Sequence, residues 1–144
     1  MLLAVISVTA NAQVKEFERF SDTKNVTYVY ISKFMLQMVG KKAAPSMPGV
    51  NLNSIMNKLT SIQIISAEEK NAAARLKTDT QGIVKNSKYN LLMQVDEDEG
   101  KARIYHREGK PQSVIVMLTE ETVETTVIVF SGSFTLNDVM TLTK

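Results

Sequence analysis

The chain has 144 residues, of which 44% are hydrophobic and 22% charged, a length that suits one domain and an apolar content that excludes wholesale disorder. Cysteine is absent, which excludes disulfides, thiolate nucleophiles and cysteine-ligated metals. The 17 basic and 15 acidic side chains nearly cancel and form no clustered basic stripe, so no nucleic-acid partner is expected.

The N-terminus is typical of a secretory signal peptide. An apolar run over residues 2–8 precedes Ala10-Asn11-Ala12, the small-x-small pattern that signal peptidase accepts. No basic residue precedes the run, so either the true start lies a few codons upstream or, as the alternative, the segment is a buried first strand. We predict cleavage after Ala12 and a periplasmic or cell-envelope location. The mature chain, residues 13–144, is then a single domain without a transmembrane segment, since a span takes about 20 apolar residues.

A short helix, a strand and a second helix are predicted next. Apolar residues recur at intervals of three over residues 14–20 with charged residues between them, which favours an amphipathic helix. The β-branched and aromatic run 26–31 predicts a strand. Ser32 can cap a helix over residues 33–39, which is apolar nearly all round and so is either deeply buried or covers another surface.

The clearest loop of the chain follows. Residues 40–50 hold two of the three prolines and two of the six glycines. A short helix is predicted from Asn51 or Asn53, with Leu59 on its apolar face. A second strand is predicted over residues 61–65 from its β-branched composition.

A longer helix and four consecutive strands complete most of the chain. Ser66 and Glu69 form a capping-box pattern, which predicts a helix from this point to about residue 84. From Tyr89 onward the hydrophobic period changes to two, as is typical of strands. The predicted strands cover residues 91–95, 101–107, 113–119 and 124–131.

These elements predict an α+β fold. Residues 114–118 are continuously apolar, which favours a central strand covered on both faces, and Thr135 begins a closing helix. The sequential hairpins favour a largely antiparallel sheet of about six strands, with helices packed mainly on one face. The helical connection between the first two strands is long enough for a parallel or crossed-over arrangement, so the strand order stays open.

Several segments, taken in order, resemble one protein family. They are the exported start, Asn25-Val-Thr-Tyr-Val-Tyr-Ile-Ser-Lys33, Leu59-Thr-Ser-Ile-Gln-Ile-Ile-Ser66, Tyr89-Asn-Leu-Leu-Met93 and Ser131-Gly-Ser-Phe-Thr-Leu-Asn-Asp138. Together they look like the domain of unknown function 4252 family, small exported proteins found mainly in Bacteroidota. The resemblance covers nearly the whole mature chain. It implies an α+β fold and an envelope location, and it supplies no activity, cofactor or catalytic residues.

A methionine-rich region is the first candidate binding surface. Methionine side chains adapt to irregular partners, so this region suits an apolar groove or partner surface roofed by the loop over residues 40–50. The alternative is a methionine-lined core. The candidate ligand- or partner-binding residues are Phe34, Met35, Met38, Met47 and Met56.

The strand predicted over residues 101–107 offers a second candidate surface. Alternation places Arg103, Tyr105 and Arg107 on one face, where they could bind an anionic group, with an ordinary solvated face as the alternative. His106, the single histidine, falls on the other face near the strand end. We therefore expect a half-exposed sheet residue rather than a general base, which would need an orienting partner and a pocket.

The sequence favours binding over catalysis through the motifs that it lacks. It contains no nucleophile-elbow pattern and no Walker or Rossmann glycine pattern, and we assign no catalytic residue, metal ligand or cofactor. The favoured function is non-enzymatic binding to another component of the cell envelope, either a protein or an apolar molecule. The alternatives are a carrier of a small apolar ligand and a small hydrolase-like enzyme without a recognisable motif.

Overall fold

The computed structural model of the protein describes residues 15–39, 55–109 and 112–140. Within these residues a six-stranded sheet is accompanied by three α-helices and two 3₁₀ helices. The strands are β1 (Thr27–Ser32), β2 (Leu59–Ala67), β3 (Asn90–Glu97), β4 (Gly100–Arg107), β5 (Ser113–Glu121) and β6 (Thr125–Gly132). The α-helices are α1 (Lys33–Val39), α2 (Lys70–Asn86) and α3 (Leu136–Met140), and the 3₁₀ helices are Lys15–Asp22 and Met56–Lys58. The predicted α+β fold is confirmed.

The sheet has the order β1-β2-β6-β5-β4-β3, and every neighbouring pair is antiparallel. The first two strands are therefore antiparallel neighbours, which resolves the arrangement that the sequence left open. Strands β1 and β3 form the two edges of the sheet. The central position predicted for residues 114–118 is confirmed, because each of these side chains is at most 1% exposed.

Helix α2 and the first 3₁₀ helix cover one face of the sheet, which we call the α2 face. Four apolar side chains of α2 are buried there, namely Ala72, Ala73, Leu76 and Ile83. Phe17 and Phe20 from the 3₁₀ helix are fully buried in the same cluster, as their spacing of three residues predicted. Burial of these apolar side chains accounts for the position of both helices.

The predicted start of α2 was wrong by several residues. Ser66 lies within β2 and is opposite Thr27 of β1 and Thr126 of β6 rather than at a helix cap. The cap is instead Glu69, whose carboxylate accepts a hydrogen bond of 2.9 Å from the backbone N–H of Ala72. Pairing with two neighbouring strands satisfies more backbone groups than the local capping motif would, so the strand continues.

Shorter elements pack on the opposite face of the sheet. Leu36 of α1 and Val139 of α3 are buried in a cluster that also contains Met117 and Phe130 from the central strands. Thr135 caps α3 as predicted, since its hydroxyl accepts a hydrogen bond of 3.2 Å from the backbone N–H of Asp138. Most helical residues thus lie on the α2 face. The two short helices α1 and α3 each contribute one buried side chain to the opposite face of the sheet.

The helix predicted from Asn51 or Asn53 begins outside the described residues, and its described part is a 3₁₀ turn followed by a strand. The 3₁₀ helix ends at Lys58, and Leu59 begins β2 opposite Gly132, next to an irregularity in the strand register. A Cβ atom built on Gly132 overlaps the carbonyl oxygen of Lys58 and lies 2.9 Å from the Cα atom of Leu59. The close approach of the two backbones at this point therefore requires glycine.

Candidate binding surfaces

Helix α1 exposes most of its apolar side chains. It follows β1 without a loop, and the hydroxyl of Ser32 accepts a hydrogen bond of 3.2 Å from the backbone N–H of Met35, as the predicted cap requires. Leu36 is buried and anchors the helix to the sheet. Phe34 is 70% exposed and Met38 66% exposed. A helix that is apolar nearly all round thus uses one side for the core and leaves the other uncovered.

The structure separates the five predicted partner-binding residues. Phe34, Met35 and Met38 are exposed together on α1. Met56 is buried in the core cluster of the opposite face, so the methionine-lined core that was the alternative describes this position. Met47 lies outside the described residues.

Edge strand β1 extends the exposed surface. In the described residues β1 pairs only with β2, which leaves its outer edge without a neighbouring strand. Val29 is 43% exposed and Tyr30 53% exposed, and because they are successive strand residues they project from opposite faces. We refer to Val29, Tyr30, Phe34, Met35 and Met38 together as the β1–α1 surface.

Tyr28 fixes β1 to its neighbour on the α2 face. Its hydroxyl donates a hydrogen bond of 2.7 Å to Oε1 of Gln63, a residue of β2 with no exposed surface. Burial, and to a smaller extent the nearby carboxylate of Glu18, raises the pKa of Tyr28 to about 12. The phenol therefore stays protonated at neutral pH and remains a hydrogen-bond donor, which holds the edge strand in register.

The predicted anion-binding face contains an arginine that the fold already uses. Nη1 of Arg107 lies 3.8 Å from a carboxylate oxygen of Glu16 and donates a hydrogen bond of 3.4 Å to the carbonyl oxygen of Ser87. Its guanidinium carbon lies 4.7 Å from the centre of the Tyr89 ring, a cation–π arrangement. The same carboxylate accepts hydrogen bonds from the hydroxyls of Ser87 and Tyr89, at 2.6 and 3.0 Å.

Burial and then the Glu16 carboxylate raise the pKa of Tyr89, which keeps its phenol a donor in this network. The other two residues of the predicted face, Arg103 and Tyr105, are partly buried on β4. Nε of Arg103 donates a long hydrogen bond of 3.4 Å to Oε1 of Gln94 on β3. The three predicted residues do share one face, and Arg107 there neutralises an internal carboxylate.

His106 is not the half-exposed residue that its position near a strand end predicted. It is 3% exposed, and its ring lies 6.4 Å from that of Phe134, which packs over this part of the sheet. Its Nε2 atom is buried without a hydrogen-bond partner. Burial lowers the pKa of His106 below 6.5, so the imidazole is neutral at physiological pH. The segment containing Phe134 covers the strand end, which the alternation of β4 alone does not reveal.

Two open depressions in the described part of the chain contain several glutamate side chains. One includes Glu68, Glu121 and Glu124, and the other includes Glu97 and Glu99 beside the β3–β4 turn. Among the described residues, no group of three or more histidine or acidic side chains is arranged to hold a metal ion. No helix in the described ranges has the length and apolarity needed to cross a membrane.

A scan against protein families matches residues 20–142 to the family described as Domain of unknown function (DUF4252). The chain belongs to this family. The match confirms the resemblance that the ordered sequence segments indicated. Comparisons with curated proteins and with solved structures each found no match to the chain.

The sequence did not identify two residues of the surface that this DUF4252 domain presents. Val29 and Tyr30 were predicted to lie in a strand, and a strand of β-branched and aromatic residues is equally compatible with a central or an edge position. Their exposure depends on the place of β1 in the sheet. The available signal was the alternation across residues 26–31, which contains apolar or aromatic side chains on both faces.

Proposed function

We propose that this protein is an exported, non-enzymatic binding domain of the cell envelope that engages another polypeptide through the β1–α1 surface. The exposure of Phe34, Met35 and Met38 on one short helix is the observation that carries the proposal. The signal-peptide pattern that ends at Ala12 supports the envelope location. Contiguous apolar side chains on a surface are typical of interaction sites.

Burial of these side chains in an interface would supply a substantial driving force. Fully burying a phenylalanine or methionine side chain contributes about 1.5–3 kcal/mol, so the three residues of α1 together offer about 5 kcal/mol before the costs of association. Leu36 alone anchors this helix in the described core. The exposed side of α1 therefore contributes little to the stability of the domain and is available to a partner.

A polypeptide partner is favoured over the two alternatives by the placement of polar and apolar groups. Both open depressions face solvent and contain several glutamates, whereas a site for a small apolar ligand is usually enclosed and mostly apolar. Hydrolase chemistry usually relies on a general base with an orienting partner, and the neutral imidazole of His106 is enclosed beside Phe134 with Nε2 unpaired. The exposed methionines face outward, where they can adapt to a partner surface.

Site-specific photo-crosslinking in the native host tests the proposal. A photo-reactive amino acid replaces Met35 on α1 in one variant and Ala74, an exposed residue of α2, in the matched control. We expect one defined crosslinked polypeptide in the envelope fraction from position 35 and none from position 74. The double substitution Phe34→Ser and Met38→Ser should remove the crosslink. Identical crosslinking patterns from both positions, or a pattern unchanged by the double substitution, would contradict the proposal.

A further inference from the structure

We propose that β1 binds an extended, acidic segment of the partner polypeptide, which adds to the sheet as a seventh strand. This inference rests on the proposed function and names the chemistry of the partner at the same surface. Three observations carry it: the outer edge of β1, which pairs with no strand among the described residues, the contrast between the two edges of the sheet, and the charges that flank β1.

The unpaired backbone defines the shape of the occupant. The six residues of β1 pair with β2 in continuous register from Thr27 to Ser32, without a bulge. In a regular strand of this kind, N–H and C=O groups of alternate residues point away from the existing neighbour. An extended polypeptide can pair with all of these groups, whereas a lipid surface offers no such row of partners. The geometry therefore favours a strand.

The two edges of the sheet differ in how they resist such pairing. Edge strand β3 has a register shift between Leu91 and Met93 and ends in Asp96 and Glu97, two devices that discourage edge-to-edge association. The interior of β1 contains no charged residue, no proline and no bulge. An edge left in this state is a template for strand addition, and its Val29 and Tyr30 side chains offer apolar contacts on both faces.

The charges around β1 specify an acidic partner. Lys24 and Lys33 flank the strand, both are exposed, and neither forms an ion pair in the described residues. No aspartate or glutamate occurs between residues 23 and 38. The nearest carboxylates along the chain, Glu18 and Asp22, belong to the 3₁₀ helix on the α2 face, where Glu18 lies near Tyr28. A segment with carboxylates at both ends would place them near the two lysines.

Helix α1 extends the contact beyond the strand. It follows β1 directly and packs Leu36 into the cluster on the face opposite α2. An added strand has every second side chain on that face, next to the helix. Apolar residues at those positions would lie on the same face of the sheet as α1. The preferred partner segment thus alternates apolar and polar residues between acidic ends.

Three synthetic peptides test the inference against the full chain. The first alternates valine and threonine and carries glutamates at both ends, the second has lysines in place of the glutamates, and the third is an acidic peptide N-methylated at alternate residues. Fluorescence anisotropy measures the binding of each labelled peptide. We expect the acidic peptide to bind, the lysine peptide to bind about tenfold more weakly at low ionic strength, and the N-methylated peptide not to bind.

Matched variants at the two edges locate the site. Val29→Glu places a carboxylate on β1 and should weaken the acidic peptide about tenfold, because like charges oppose each other. Leu91→Glu makes the same change at an exposed position of the other edge and should leave the affinity unchanged. Hydrogen exchange should slow at backbone amides of β1 when the peptide is added and stay unchanged at β3.

Several results would overturn the inference. These are no binding of the acidic peptide at about 1 mM, equal affinity for all three peptides, or equal effects of Val29→Glu and Leu91→Glu. If the chain self-associates and Val29→Glu abolishes the self-association, the occupant of the β1 edge is a second copy of the chain and not a partner segment. If the chain binds anionic vesicles and the vesicles compete with the peptide, the occupant of this surface is a lipid surface and not a partner segment. The proposed function is tested separately: it stands, whichever of these results is obtained, if the photo-reactive residue at position 35 still crosslinks to a polypeptide.

Discussion

The substitution Glu16→Ala is expected to lower the free energy of unfolding by about 2 kcal/mol. The Glu16 carboxylate accepts hydrogen bonds from the hydroxyls of Ser87 at 2.6 Å and Tyr89 at 3.0 Å. Through these contacts the first 3₁₀ helix is joined to the segment between α2 and β3. The substitution removes both hydrogen bonds and leaves Arg107 without its internal carboxylate.

The magnitude follows from the geometry of this network. A hydrogen bond to a charged group contributes about 1.5–3 kcal/mol, so two give about 3–6 kcal/mol when water is excluded. The side chain of Glu16 is 25% exposed, and water can replace part of the lost bonding, which reduces the expected loss to about 2 kcal/mol. Arg107, whose nitrogen lies 3.8 Å from the carboxylate, adds little because it is partly solvated.

Urea denaturation followed by circular dichroism measures this effect. The matched control is Glu18→Ala, an exposed carboxylate on the same 3₁₀ helix, which should change the free energy of unfolding by no more than about 0.5 kcal/mol. Tyr89→Phe, alone and combined with Glu16→Ala, should give a coupling energy of about 1 kcal/mol. A loss for Glu16→Ala no larger than that of the control would contradict this role of the carboxylate and would leave Arg107 available for an external anion.

Three further predictions follow from local geometry. Gly132→Ala should destabilise the fold by at least about 2 kcal/mol in urea denaturation, whereas Gly82→Ala, on α2 with open space around it, should stabilise it by up to about 1 kcal/mol. Leu36→Ala should cost about 2–4 kcal/mol and Phe34→Ala less than about 0.5 kcal/mol, and equal effects would contradict the exposure of α1. Burial lowers the pKa of His106 below its usual 6.5, so the unfolded chain binds a proton on this imidazole more readily than the folded chain does. The free energy of unfolding should therefore fall as the pH decreases through 6.5. His106→Leu should reduce this pH dependence in unfolding measured between about pH 5 and 8.

Local periodicity predicted much of the fold because it records which side chains face the core. Phe17 and Phe20 pack in the core as their spacing of three residues indicated, and the continuously apolar run of β5 lies at the centre of the sheet. The bounds of α1 were also predicted, since Ser32 supplies its cap. These features depend on contacts between residues that are close in the chain or on burial alone.

The remaining features depend on contacts between distant segments. The start of α2 was missed because Ser66 pairs with β1 and β6, which are separated from it by some forty and sixty residues. The burial of His106 was missed because Phe134 covers it from a segment after the last strand. A single sequence contains no direct record of such pairings. It therefore does not determine the strand order or which segment covers the end of a strand.

Only part of the candidate surface was predicted from the sequence, because the exposure of its residues also depends on contacts between distant segments. Exposed Phe34, Met35 and Met38 were identified from composition, while Met56, which belongs to the same methionine-rich region, is a core residue. Composition alone does not separate the two sides of an apolar helix. Val29 and Tyr30 belong to the surface because β1 lies at an edge of the sheet, which the sequence alone does not show.

Native mass spectrometry of the protein recovered from the envelope of its host tests both the export of the chain and its binding to a polypeptide. We expect a chain that begins at Gln13, in complex with a second polypeptide. The same preparation from the variant with Phe34→Ser and Met38→Ser should contain the chain without that polypeptide. A monomer without a partner from both preparations, or a chain that retains residues 1–12, would contradict an exported domain that binds a polypeptide through the β1–α1 surface.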